Sequence, residues 1–253
     1  MNFFYGINND LFKSELQIPL FQNRNFKKKN LKLFKTYPYK KKWTLEVLSN
    51  KKKDDYFYIL KNEDIKNNEI FFLADETIYD QFDYKKLKDY NNFTNTNPPY
   101  RANFKLYVEK GGFSSYQSEY PYRMITNTGS IISSISSLAN PEADENYILI
   151  KNIFENPIED NFSAYLVNYD SKNIVKKFVI KTNYTNCIKI DKEFIKPEIF
   201  LITDKYLGIP MYASIKNNFL SFEHTHPPHT YISSANRFKL VSNLKKELHE
   251  IIS

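Results

Sequence analysis

Residues 162–181 read FSAYLVNYDSKNIVKKFVIK, and their pattern decides the fold class. In the first half, Phe162, Ala164, Leu166 and Asn168 recur at every second position, the period of a strand whose side chains point alternately to its two faces. In the second half, Ile174, Lys176, Phe178 and Ile180 alternate with Val175, Lys177, Val179 and Lys181. Asp170-Ser171-Lys172-Asn173 separates the halves with turn-forming side chains, so the stretch reads as a β-hairpin. Working outward, short runs of β-branched and aromatic residues recur at 103–109, 147–153, 186–190, 198–203 and 211–215. Upstream, 31–37, 43–49 and 55–61 read as a meander, and 69–74 (EIFFLA) as a buried strand. Segment 75–90 has a capping Asp75, but the spacing of Ile78, Phe82 and Leu87 fits a helix imperfectly. Strands never alternate with helices, which argues against a doubly wound fold.

The chain closes with a different period. Phe238, Val241, Leu244, Leu248 and Ile251 recur at spacings of three and four, with Ser233 or Ser234 as cap and Lys239, Lys245, Lys246, Glu247 and Glu250 on the other faces. The predicted architecture is therefore mainly β: an antiparallel β-sandwich with an N-terminal β meander and a C-terminal amphipathic helix. Residues 91–99 (NNFTNTNPP) cannot extend a ladder cheaply and serve as the linker. The expected divisions are a basic β-rich region at 1–95, the sandwich at 96–232, and at 233–253 a helix that packs on the sheet or, alternatively, pairs two copies into a homodimer.

Composition bounds the function. The 253 residues are 42% hydrophobic, 17% aromatic and 26% charged, enough to build a core and ordinary for a soluble globule. No run is long and apolar enough to span a bilayer, the first twenty residues do not read as a secretion signal, and Cys187 stands alone. A soluble cytoplasmic protein without membrane contact is the expectation. Cys187, taken to have no basic neighbour on its face of a predicted strand, reads as buried and inert. The 20 Tyr, 21 Phe and only 5 Gly, with much Lys, Asn and Ile, reflect AT-rich codons first and function second. With so few glycines there is no Walker loop or dinucleotide fingerprint, and the chain has no Gly-x-Ser-x-Gly elbow or His-Glu-x-x-His helix.

Between residues 146 and 229 the order of features resembles the sensory-rhodopsin-transducer type of β-sandwich. The features are an apolar strand ending near Asn152, a hairpin, Thr185 with Ile188 to Asp191, then Lys196-Pro197-Glu198, a strand, Gly208-Ile209-Pro210-Met211 and a late histidine. The resemblance implies a sandwich acting as an interaction module and carries over no catalytic residue. A triple histidine departs from that pattern.

Three constellations could carry chemistry. The first is 221–231, SFEHTHPPHTY, which holds three of the four histidines. On a strand, His224 and His226 share a face, Pro227-Pro228 turns the chain, and His229 can swing back, a set suited to Zn or Fe with an open position. Glu223 or Glu119 would then be the catalytic base, making a metal-dependent enzyme. The second is 100–124, where Gly111-Gly112 permits a tight turn presenting aromatic and planar polar groups. Arg101, Tyr116, Glu119, Tyr122 and Arg123, with Tyr231, would bind a small polar ligand, a saccharide or an acidic metabolite. The third is 22–53, where twelve Lys or Arg face one acid: this segment is +11 while the whole chain is +7. Interleaved Phe34, Tyr37, Tyr39 and Trp43 would add stacking for single-stranded nucleic acid. The absence of a recognisable nucleophile makes a non-catalytic or accessory binding module, its polar ligand held near His224, His226, His229 and Arg123, the leading expectation, ahead of the metal enzyme and the nucleic-acid binder.

Overall fold

The computed structural model describes residues 2–20, 31–53, 56–90, 101–109, 111–125, 130–203, 205, 207–224 and 233–253, with the backbone alone at 130–133. The chain divides into two units. The first comprises Met1–Thr126, Ile153–Glu159 and Thr182–Thr185; the second comprises Asn127–Asn152, Asp160–Lys181 and Asn186–Ser253.

In the first unit the strands are β1 (Asn2–Phe3), β2 (Phe12–Pro19), β3 (Lys32–Thr36), β4 (Pro38–Tyr39), β5 (Lys42–Trp43), β6 (Glu46–Val47), β7 (Phe57–Leu60), β8 (Ile70–Ala74), β9 (Ala102–Val108), β10 (Phe113–Ser118) and β11 (Tyr120–Pro121). A single helical turn, α1 (Ile78–Gln81), is the helical part of 75–90. One antiparallel sheet runs β10-β9-β2-β7 and a second runs β6-β3-β8. The three segments expected as a meander form strands, but 55–61 pairs with β2 while 31–37 and 43–49 pair with each other. Likewise β9 and β10 join β2 rather than the sandwich expected from residue 96 onward. The sequence of β2 alternates cleanly, with Phe12, Ser14, Leu16 and Ile18 buried.

Aromatic rings fill this unit. Phe34 stacks on Phe72 with centroids 5.7 Å apart, Phe3 meets Phe72 edge-on at 5.9 Å, and Tyr5 meets Phe104 at 6.1 Å. The segment from Tyr5 to Ile7 is stitched in by buried hydroxyls in place of a ladder. Ser118 Oγ accepts from Tyr5 N (2.9 Å) and donates to Tyr5 O (2.8 Å), and Ser14 Oγ does the same for Ile7 at 3.0 and 2.7 Å. Gly6 is required there, because a Cβ would lie 2.6 Å from Ser14 Oγ.

The two later insertions belong here by their bonds. Trp43 Nε1 and Leu87 N both donate to Glu155 O at 2.9 Å, and Asn183, at φ +51°, donates to the carbonyls of Asn156 and Ile158.

The second unit holds β12 (Ser130–Ser134), β13 (Glu145–Lys151), β14 (Asn161–Asn168), β15 (Asn173–Lys181), β16 (Thr185–Ile190, from Asn186 onward), β17 (Ile199–Thr203), β18 (Ile209–Lys216), β19 (Phe219–His224) and α2 (Arg237–Ile252). They form a sandwich of two four-stranded antiparallel sheets, β12-β17-β14-β15 and β16-β13-β18-β19. The hairpin read from 162–181 is present, pairing Asn161 with Lys181 and Ala164 with Phe178. Its turn is held by Asn168 Oδ1, which accepts from the amides of Asp170 and Ser171, with Lys172 at φ +53°.

Strand parity sorts the side chains. Phe162, Ala164, Leu166, Ile180 and Leu201 are buried on one face of the first sheet, while Val167 and Ile202 point the other way, under the helix. Leu248 is fully buried against them, with Leu244, Ile251 and Ile252 packed around it. The expected stripe is thus used only from Leu244 onward, and Phe238 is 61% exposed. The reading of Cys187 as buried is corrected by the same parity: in β16, Ile188 and Ile190 turn inward and Cys187 turns to solvent. No helix among the described residues is long and apolar enough to cross a membrane.

Candidate functional site

Sequence-predicted site residues fall in both units. In the first, Arg101 precedes β9 and Glu119 follows β10, on the face that carries Asn103 and Gln117. Arg101 Nε lies 3.2 Å from a Glu119 carboxylate oxygen, and its Nη1 donates to Gln117 Oε1 at 2.6 Å. The structure brings these two residues together as a cross-strand ion pair, which fixes strand register. Tyr116 lies half-buried on the opposite face of β10. The Tyr122 hydroxyl donates to Leu87 O and approaches Glu155 Oε1, both at 3.2 Å. Burial, reinforced by the Glu155 carboxylate, pushes this phenol up to about 12. Arg123 sits exposed on the adjoining 3-10 turn. Arg101, Glu119 and Tyr122 are thus engaged with other groups of the first unit.

The aromatic residues of the basic segment are similarly occupied. Phe34 and Trp43 are buried, and Tyr37 donates to Glu46 at 2.6 Å. Tyr39 is 55% exposed but carries the Lys40 ammonium 5.2 Å from its ring centre. Lys35 reaches Glu69 at 3.0 Å and Glu46 at 3.2 Å. Residues 22–30, with four of the basic side chains, lie outside the described residues.

In the second unit, β19 ends at His224, and Glu223 and His224 border a hollow of about 300 Å³. His226, His229 and Tyr231 lie outside the described residues, so the histidine constellation is represented by its first member. Among the described residues, no group of three or more His, Cys, Asp and Glu could hold a metal ion.

The hollow is built by register. Asn146, Ser214 and Ser221 form one cross-strand row of β13, β18 and β19; Ile148, Tyr212 and Glu223 form the row two residues along each strand. On strands read singly these residues are unremarkable, but pairing sets Ser214, Ser221, Tyr212 and Glu223 side by side. The opposite wall is the loop through Ser136, Ser137 and Asn140. Buried Asn146 anchors that loop: its Oδ1 accepts from Asn140 N at 2.8 Å and from Ser214 Oγ at 2.9 Å, and its Nδ2 donates to Asn140 O at 2.9 Å. Tyr212 Oη and His224 Nδ1 lie below the reach of solvent.

Electrostatically the hollow is one-sided. Its lining carries the Glu223 carboxylate, hydroxyls, a carboxamide and an imidazole, with neither Lys nor Arg among the described residues that form it. Such a set accepts and donates hydrogen bonds to neutral hydroxyls and repels a carboxylate. Sequence reading found Glu223 and His224. It missed Ser136, Asn140, Tyr212, Ser214 and Ser221, whose one local signal is the alternation of Ser221 with Glu223.

The chain matches no protein-family model, and no curated protein or solved structure is significantly similar to it.

Proposed function

We propose that the chain is a non-catalytic binding module for a small hydroxylated ligand, a saccharide or polyol, held in the hollow between β18, β19 and the 136–140 loop. One observation carries this reading: a concavity of about 300 Å³ whose polar lining has one carboxylate and no cation. That volume sits at the lower end of small-molecule sites. Of the two ligand classes expected from sequence, the lining favours the saccharide, because an acidic metabolite would face Glu223 without a counter-charge. The interaction-module role implied by the resemblance is compatible with this reading. We place the protein in the cytoplasm, where the exposed thiol of Cys187 stays reduced.

Titration calorimetry against matched panels of neutral sugars, polyols and carboxylic acids tests the proposal. Neutral sugars should bind, Ser221→Ala and Glu223→Gln should each weaken binding at least tenfold, and acids should not bind. A panel without any neutral binder, or binding indifferent to both substitutions, refutes it.

A further inference from the structure

Every open sheet exposes edge strands with unpaired backbone groups, and natural sequences guard such edges with charge, brevity, proline or bulges. Among the described residues, with one exception, the edges show those guards or are covered, as β8 is at the edge of β6-β3-β8, where it is wholly buried and Phe71 is bridged by Phe4. β15 carries Lys176, Lys177 and Lys181 and a register shift against β14. β16 carries Lys189, β19 carries Glu223, and β12 has an irregular register against β17. β7 is four residues long and has a bridge from Lys52 to Tyr58.

β10 has none of them. Its sequence FSSYQS contains neither charge nor proline, and all six residues pair with β9 without a shift. It closes one side of the β10-β9-β2-β7 sheet. Phe113 is 63% exposed, and Ser115 and Gln117 are exposed beside it.

We propose that β10 is an interface between two copies of this chain: the two β10 strands pair antiparallel about a two-fold axis at Ser115, joining two four-stranded sheets into one of eight strands. Charge selects this occupant. A strand paired with itself brings each central side chain close to its own copy, so a central lysine would oppose a lysine, as it would for β15. Centred on Ser115, β10 sets a hydroxyl against a hydroxyl and Phe113 against Gln117. The next strand inward contributes Lys105, which is already paired across the sheet with Glu15, so each half of the joint row is neutral. The Phe113 ring, whose one face carries the Lys105 ammonium at 4.4 Å, gains cover from the partner's Gln117. This interface uses the first unit alone and is independent of the hollow.

Analytical ultracentrifugation of the full chain, combined with disulfide trapping, tests the pairing. Directly opposed residues of an antiparallel pair lie about 4.5–5.5 Å apart at Cα, within disulfide range. In a Cys187→Ser background, Ser115→Cys should therefore cross-link to a covalent dimer with oxidised glutathione, while Val179→Cys on the exposed β15 edge should not. The parent protein should sediment as a dimer, and Ser115→Lys should weaken dimerisation at least tenfold with an unchanged circular dichroism spectrum. A parent that stays monomeric to about 100 µM, a dimer unaffected by Ser115→Lys, or a Ser115→Cys protein that cross-links no better than Val179→Cys overturns the proposal.

Discussion

Replacing Lys35 by methionine isolates an ion pair of the first unit whose acidic partner is buried. Lys35 Nζ lies 3.0 Å from Glu69, whose side chain is 2% exposed, and 3.2 Å from the more open Glu46. Burial opposes the charge on Lys35, but Glu69 and Glu46 outweigh it and hold the ammonium above the usual lysine range. Methionine keeps the aliphatic stem and deletes the charge. Stranding a buried charge costs about 3–5 kcal/mol. The Lys66 amide still donates to Glu69 at 2.9 Å, so the expected loss at pH 7 sits near the lower figure, about 3 kcal/mol.

The assay is built into the chain. Trp43 is the sole tryptophan, is 1% exposed and belongs to this unit, so its fluorescence reports the unit's own unfolding. With a urea slope of about 2 kcal/mol/M, the midpoint should fall by roughly 1.5 M at pH 7. The parent should also lose stability above about pH 10.5, because a raised lysine pKa stabilises the fold below its unfolded value and ceases to do so as pH rises through the folded one. A midpoint shift below about 0.3 M would refute the assignment of buried charge to Glu69.

In the second unit, Leu248→Ala removes the fully buried anchor of α2 and should cost about 2–5 kcal/mol, whereas Phe238→Ala at the exposed end should stay within about 0.5 kcal/mol; thermal unfolding separates them. Gly208 sits at φ +100°, and a Cβ there would lie 1.8 Å from Lys151 O, so Gly208→Ala should lose more than the ~1–3 kcal/mol of backbone strain alone, read from near-ultraviolet circular dichroism melts. Tyr122 is held protonated, so its contribution is complete below about pH 10 and declines toward pH 12. The stability gap between the parent and Tyr122→Phe should therefore narrow over that window, and a gap independent of pH would contradict the raised phenol.

What was legible in the sequence depended on how local the cause was. The β14–β15 hairpin was visible because Phe162, Ala164 and Leu166 alternate with half-buried positions and Asn168 supplies the turn's acceptor a few residues away. β2 alternates equally well, yet Ser14 occupies a core position, and a buried serine reads as polar until its bonds to Ile7 are seen. The domain division escaped sequence reading for a geometric reason. β2 pairs with β9 across some ninety intervening residues, and 153–159 returns to the first unit through the carbonyl of Glu155. No periodicity encodes such pairings. Glu223 and His224 were visible as a local cluster, whereas Ser214 joins Ser221 only through register.

Several lysines of the second unit lie over the chain's own aromatic rings. Lys172 lies 3.6 Å from the Tyr169 ring centre and 3.6 Å from Glu247; Lys177 lies over Tyr165, Lys189 over Tyr147 and Lys205 over Phe162. A ring face that already carries an ammonium gains less from stacking on a base. Lysine stems cover aromatic area that would otherwise contact water, so the two residue types enriched by composition offset each other's surface cost. The same pairing reaches the β10 edge, where Lys105 lies over Phe113, and is absent from the described lining of the hollow. The β10 edge carries no charge of its own, and the hollow by β19 presents a carboxylate without a cation. In the proposed sites, the Glu223 carboxylate discriminates against acids, and the uncharged side chains of β10 are set opposite one another by register.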